Sequence, residues 1–151
     1  MNASEIMSSR VYTIRSDATV VDAANVMLDH NISALPVVND RDNLVGIMSH
    51  SDFFLTPIRD PGMHGTVFEL FGNVFVNRDN IGNLHTVLSR TLVSDVMSTP
   101  VVTVKEDTSI EEIVRIMHQR RLKRLPVVRD NKLVGIITRH DFVRLAATIA
   151  P

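Results

Sequence analysis

Two kinds of apolar spacing alternate along the chain, and they do so in the same order twice. Val20, Ala23, Ala24 and Met27 recur at helical spacing and share one helix face, as do Ile110, Ile113, Val114 and Met117. Thr19-Val-Val-Asp22 and Ser109-Ile-Glu-Glu112 lead into these stretches with the form of capping boxes, in which a hydroxyl and an acid satisfy the first free amides of a helix. Short apolar runs flank each helix and predict strands: Val11 to Ile14 and Val101 to Val104 before, Pro36-Val-Val and Pro126-Val-Val after. Polar turns at 39–43 and 130–131 then lead into two glycine-containing runs, Leu44-Val-Gly-Ile-Met and Leu133-Val-Gly-Ile-Ile. Each run breaks into a helix at a hydroxyl, Ser49 or Thr138. That hydroxyl is a natural N-cap, and Asp52 or Asp141 follows in the first turn, where negative charge suits the helix dipole. The order β-α-β-β-α, read twice, is an α+β arrangement with a helical layer on a small sheet.

The repetition extends to residue identity. Ser4-Glu-Ile-Met-Ser8 returns as Ser94-Asp-Val-Met-Ser98 at an offset of 90, and Leu35-Pro-Val-Val38 returns unchanged as Leu125-Pro-Val-Val128. One residue is dropped in the turn, and the glycine runs follow at an offset of 89. Over 4–40 with 94–130 and 44–53 with 133–142, 18 of 47 positions are identical, which makes the chain a tandem duplication. The expected boundaries are 1–56 for the first repeat, 57–93 for an insertion and 94–151 for the second repeat. The stretch from 54 to 93 is punctuated by proline and glycine and carries Phe54, Phe68, Phe71 and Phe75, with a helix expected around Leu84–Leu92. A connection of this length serves either as a lid or subunit contact or as plain packing.

Composition narrows the function classes. The 151 residues are 44% hydrophobic and 22% charged, which suffices for a real core. A formal net charge of −1 gives no global field toward nucleic acid or anionic membrane. The absence of cysteine excludes disulfides, thiolate metal sites and a cysteine nucleophile. No signal-like segment opens the sequence and no apolar run has the length of a membrane span, so a cytoplasmic protein is expected. Phosphate-loop, dinucleotide, nucleophile-elbow and zinc-protease motifs are all missing, and the six histidines lack metal-ligand spacing, so no enzyme is expected. Gly62-Met-His-Gly65 has the GxxG of an RNA-binding loop but neither the flanking βααβ pattern nor a base inside it.

The doubled combination of V-x-T, L-P-V-V-x-D and G-I-x-[ST]-x-x-D resembles a tandem pair of CBS domains, the Bateman module, from residue 4 to about 147. The insertion is similar to that of free-standing two-CBS proteins. This resemblance implies a pseudo-twofold pair of repeats, clefts between them that bind adenosyl compounds (AMP, ADP, ATP, S-adenosylmethionine or NAD), and a homodimer of modules. It implies that Asp52 and Asp141 accept from the ribose hydroxyls, a task suited to a carboxylate's several lone pairs, and that Ser49 and Thr138 meet ribose or phosphate oxygens. It further implies that Asp141 faces Val11, Tyr12, Ser33 and Ala34 of the opposite repeat, and Asp52 faces Pro100, Val101, Val102 and Leu122. With no room for an effector domain, regulation would act in trans on an unknown target protein.

Charge then separates the two repeats. The second carries Arg120, Arg121, Lys123 and Arg124 before its proline strand, and Arg139 and His140 within its glycine motif. The first has Asn31, Ser33, Ala34, His50 and Ser51 in the matching places. Arg120 and Arg121 read as a basic helix end complementing the dipole, whereas Lys123 and Arg124 sit just before a buried strand, where the resemblance implies phosphate contacts. Clustered bases favour a phosphorylated ligand over a sulfonium, and they make the Asp141 cleft the expected tighter phosphate-bearing site. The adenine nucleotide is a regulatory ligand, with no catalytic cofactor expected. The competing reading is a ligand-free dimerisation scaffold.

Overall fold

Capping at Thr19 starts the first long helix as the sequence predicts: Asp22 N–H donates to Thr19 Oγ1 at 3.1 Å, and Thr19 N–H donates to Asp22 Oδ2 at 2.9 Å. The second capping box is only half formed. Glu112 N–H donates to Ser109 Oγ at 3.3 Å, but the Glu112 carboxylate turns to Arg115 on its own helix instead of reaching back.

A computed structural model describes residues 1–60, 63–72 and 78–149. In chain order the elements are α1 (Ala3–Ile6), β1 (Ile14–Arg15), α2 (Val20–Asp29), β2 (Ala34–Val38), β3 (Leu44–Ser49) and α3 (His50–Phe54). The insertion follows with β4 (Pro57–Asp60), β5 (Met63–Thr66), α4 (Val67–Gly72) and α5 (Arg78–Leu88). The second repeat is α6 (Val93–Val96), α7 (Ile110–Gln119), β6 (Arg124–Arg129), β7 (Lys132–Thr138) and α8 (Arg139–Thr148). The α+β class and the doubled order agree with the sequence.

The chain forms two compact units that do not follow chain order: 1–11 with 42–44 and 102–151, and 12–41 with 45–101. In the first unit, β6 and β7 pair antiparallel, with a bulge between Val127 and Val128, and Val104 adds a single parallel bridge to Val127. Ala3, Ile6, Ile113, Met117, Leu125, Val127 and Ile137 form its core. In the second unit a three-stranded sheet runs β1-β2-β3, with β1 parallel to β2. Its core combines Val20, Ala23, Met27, Leu35, Val37 and Met48 of the first repeat with Ile58, Val67, Leu84, Val87 and Leu88 of the insertion. The insertion is therefore part of this unit's hydrophobic interior.

The short helix that precedes each repeat docks in the same manner. Ala3 N–H donates to Thr108 O at 2.9 Å and Ser4 N–H to Glu106 O at 3.0 Å; Val93 N–H donates to Ala18 O at 2.8 Å and Ser94 N–H to Ser16 O at 3.0 Å. Residues 1–8 thus join the second repeat's unit, and 93–98 the first's.

Three expectations change in detail. The first strands shrink to Ile14–Arg15 and to the lone bridge at Val104, because Ser8 and Ser98 just upstream already pair with β7 and β3. The insertion helix ends at Leu88 because Ser89 and Thr91 hydroxyls donate back to the His85 and Val87 carbonyls, at 2.7 and 2.9 Å, and compete with continuation. Val114 leaves the apolar face of α7, at 46% exposure, and Ile116 packs against the core instead. Phe54 and Phe68 meet edge to face with ring centroids 6.4 Å apart, and both stay exposed with Phe71; Phe75 lies outside the described residues.

Candidate functional site

Each glycine strand delivers a hydroxyl and a carboxylate to one spot, because the strand ends where the acid at the third helical position can reach back to the N-cap amide. Ser49 N–H and Oγ–H both donate to Asp52 Oδ2, at 2.8 and 3.0 Å. Thr138 N–H and Oγ1–H donate to Asp141 Oδ2 at 2.7 and 3.0 Å. One carboxylate oxygen is thus spent on holding the strand-to-helix corner, and the other is turned outward.

That second oxygen differs between the repeats. Asp52 Oδ1 accepts from the exposed hydroxyl of Ser98 at 2.7 Å, and Asp52 stays half-buried. Asp141 Oδ1 accepts from Arg144 Nη2 at 2.8 Å and more distantly from Ser8 Oγ at 3.4 Å, and Asp141 is only 3% exposed. Arg144 also donates to Ile6 O at 3.1 Å. The hollow beside Asp141 holds about 170 Å³, with Glu5 and Arg144 in its wall. That is below the range of roughly 300–1,000 Å³ typical of small-molecule sites.

Ser8, Ser98 and Arg144 are neighbours of the two carboxylates that the sequence reading missed. The signal for the serines was present in the repeated Ser4–Ser8 and Ser94–Ser98 blocks, whose last residues are the ones that reach the carboxylates. The methionine before each serine covers a glycine: a Cβ at Gly46 would overlap the Met97 side chain, and one at Gly135 would overlap Met7. Close approach of these two segments is what requires glycine at both positions.

The remaining predicted residues divide between the units. Arg124 lies opposite Thr138 in the β6–β7 register, and Arg139 N–H reaches Lys123 O at 3.4 Å, so Lys123, Arg124, Thr138 and Arg139 gather at one end of that hairpin. His140 is exposed on the first turn of α8, and Val11, Val102 and Leu122 belong to the same unit, with Val102 and Leu122 packed against its core. In the other unit, His50 N–H donates to Ser33 O at 3.0 Å, which places Ser33 and Ala34 beside the Ser49–Asp52 corner. Pro100 and Val101 belong to this unit as well. Tyr12 stacks on His30, with ring centroids 3.6 Å apart and planes 15° from parallel.

Two α+β repeats, each closing on a glycine strand whose hydroxyl and carboxylate form one corner, define the class of a tandem α+β repeat pair. The CBS domain family model matches residues 3–56 and 93–148, and the chain belongs to the CBS domain family. It is 36% identical over 143 residues to the inosine-5'-monophosphate dehydrogenase of Methanocaldococcus jannaschii, covering 94% of this chain and 23% of that protein. It is 31% identical over 144 residues to the chloroplastic CBS domain-containing protein CBSX2 of Arabidopsis thaliana, covering 92% of this chain and 60% of that protein. The chain therefore spans about a quarter of the first relative and three fifths of the second. Among solved structures, the CBS domain of a CBS domain-containing membrane protein from Sphaerobacter thermophilus superposes with a TM-score of 0.78 at 31% identity, covering 96% of this chain and 87% of that one. CBSX2 in complex with AMP superposes with a TM-score of 0.71 at 26% identity, covering 98% and 97%. Among the described residues of the present chain, no helix is long and apolar enough to cross a membrane.

Proposed function

We propose that the protein is a regulatory module that binds an adenine nucleotide, with Asp52 as the ribose acceptor, and that it does not turn the nucleotide over. One observation carries this reading. Among the described residues, the outward oxygen of Asp52 holds only a neutral, exposed serine hydroxyl that a ribose hydroxyl can replace, whereas that of Asp141 is held by a guanidinium. A carboxylate offers about four acceptor positions. Among the described residues, Asp52 has three donors around it and Asp141 has four. Displacing Arg144 would leave Asp141 buried and short of its charge partner, which costs more than displacing a serine.

This order reverses the ranking that charge alone suggests, since the bases of the second repeat accompany the more occluded carboxylate. Lys123, Arg124 and Arg139 gather at one hairpin end of the unit that holds Asp141, where three cations favour phosphate over a sulfonium. The AMP complex of CBSX2 supports the same ligand class. We further propose self-association, because Leu28 on α2 is 77% exposed beside a face already used for the core.

Calorimetric titration with AMP, ADP, ATP, NAD and S-adenosylmethionine tests the assignment. At least one phosphorylated nucleotide should bind saturably and more tightly than S-adenosylmethionine, and incubation with ATP should give no product above the blank. Preference for S-adenosylmethionine, or hydrolysis that tracks the protein through purification, would overturn it.

A further inference from the structure

A second polar hollow of the second unit shares no residue with the Ser49–Asp52 corner. It measures about 420 Å³ and is lined by Pro57 and Arg59 of β4, Val87 of α5, Arg90 and Thr91 of the following turn, and Asp95 and Val96 of α6. Its volume falls within the roughly 300–1,000 Å³ of small-molecule sites.

Neither Arg59 nor Arg90 takes part in any ion pair among the described residues. Along β4 the side chains alternate, so buried Ile58 points inward and Pro57 and Arg59 share the outer face. The residue opposite Arg59 in the hairpin register is His64, so no acid answers it across the strands. Arg90 follows the end of α5, where a base complements the dipole. The carbonyl exposed there, Val87 O, is however already taken by Arg90 N–H, Thr91 N–H and Thr91 Oγ1, at 3.1, 3.1 and 2.9 Å, and the Arg90 guanidinium is not needed to cap it. Asp95 lines the same hollow as a first-turn acid of α6 and pairs with neither arginine. The hollow thus presents two guanidinium forks, one separate carboxylate and an apolar wall of Pro57, Val87 and Val96.

We propose that this hollow is a second ligand site, for a small organic phosphate monoester that also carries a hydrogen-bond donor. Two guanidinium groups can share a phosphate dianion through paired N–H donors, the geometry for which arginine is suited. The donor faces Asp95, and the carbon skeleton lies on the apolar wall. The site is independent of the nucleotide reading, since it uses none of the residues of the Ser49–Asp52 corner.

Phosphoethanolamine is the probe, because it has a phosphate monoester and an ammonium but no nucleobase. Titrated into the ¹⁵N-labelled full chain, it should shift the amides of Arg59, Arg90, Thr91, Asp95 and Val96 saturably, and leave those of Ser49 and Asp52 in place. Arg59→Ala with Arg90→Ala should weaken binding about tenfold or more, as expected for lost charge-assisted hydrogen bonds, with the spectrum otherwise folded because both side chains are exposed. Asp95→Asn should weaken phosphoethanolamine and spare inorganic phosphate, and Asp52→Ala should change neither. No saturable shift at these amides, an unchanged affinity in the double variant, or equal binding of succinate would each overturn the proposal. If AMP fails at the Asp52 corner while phosphoethanolamine binds here, only the nucleotide reading falls.

Discussion

Asp52 and Asp141 stand at equivalent places in the duplication, yet their neighbours give them different work. The residue three positions beyond Asp141 is Arg144, whereas the residue three beyond Asp52 is Leu55. A single cation therefore separates a buried, ion-paired corner from one that is half-buried and held by a serine. Arg144→Leu copies the first repeat's residue into the second. It should lower stability by about 1–3 kcal/mol in urea unfolding, because buried Asp141 and the Ile6 carbonyl both lose a hydrogen-bond donor. No change in midpoint would show that the ion pair holds nothing.

The strand-to-helix corners were legible because their chemistry is local: a hydroxyl and an acid three residues apart at the end of an apolar run have few other uses. The helices were legible for the same reason, with Val20, Ala23 and Met27 buried as their spacing requires. The partners of the short leading helices were not. Met7 covers Gly135 and Met97 covers Gly46, so each serine block fits either glycine strand, and a pattern that fits both copies does not say which one it joins. Arg144 was hidden for a different reason, since an arginine two turns from a cap reads as a solvated helix face until the fold buries the acid beneath it. Gly46→Ala tests the close approach at this scale. The added methyl must push aside the Met97 side chain and crowd the Ser98 carbonyl, 3.2 Å away. It should cost about 1–3 kcal/mol by urea unfolding, in the range of overpacking changes. Wild-type stability would mean that the segment is free to lift away.

For the molecule as a whole, the duplication was plain in the sequence but the role of the insertion was not. Its prolines, glycines and phenylalanines left a lid or contact and plain packing as alternatives, and Ile58, Val67, Leu84, Val87 and Leu88 place part of it inside a core. Those apolar residues are spaced irregularly between turn signals, so no period marked them as interior. The exposed Leu28 leads to an expectation for assembly: light scattering at micromolar concentration should give about twice the chain mass of 16.9 kDa. Leu28→Lys should shift the mass toward one chain, and a strict monomer in the wild type would remove self-association from the account. The most direct measurement compares the two carboxylates. In calorimetric titrations with AMP, Asp52→Ala should weaken binding at least about tenfold, the loss expected for a charge-assisted hydrogen bond of about 1.5–3 kcal/mol. Asp141→Ala should keep the affinity and lower the melting temperature, since its carboxylate serves the fold. Loss of AMP binding in Asp141→Ala with retention in Asp52→Ala would contradict the assignment of the ribose to Asp52.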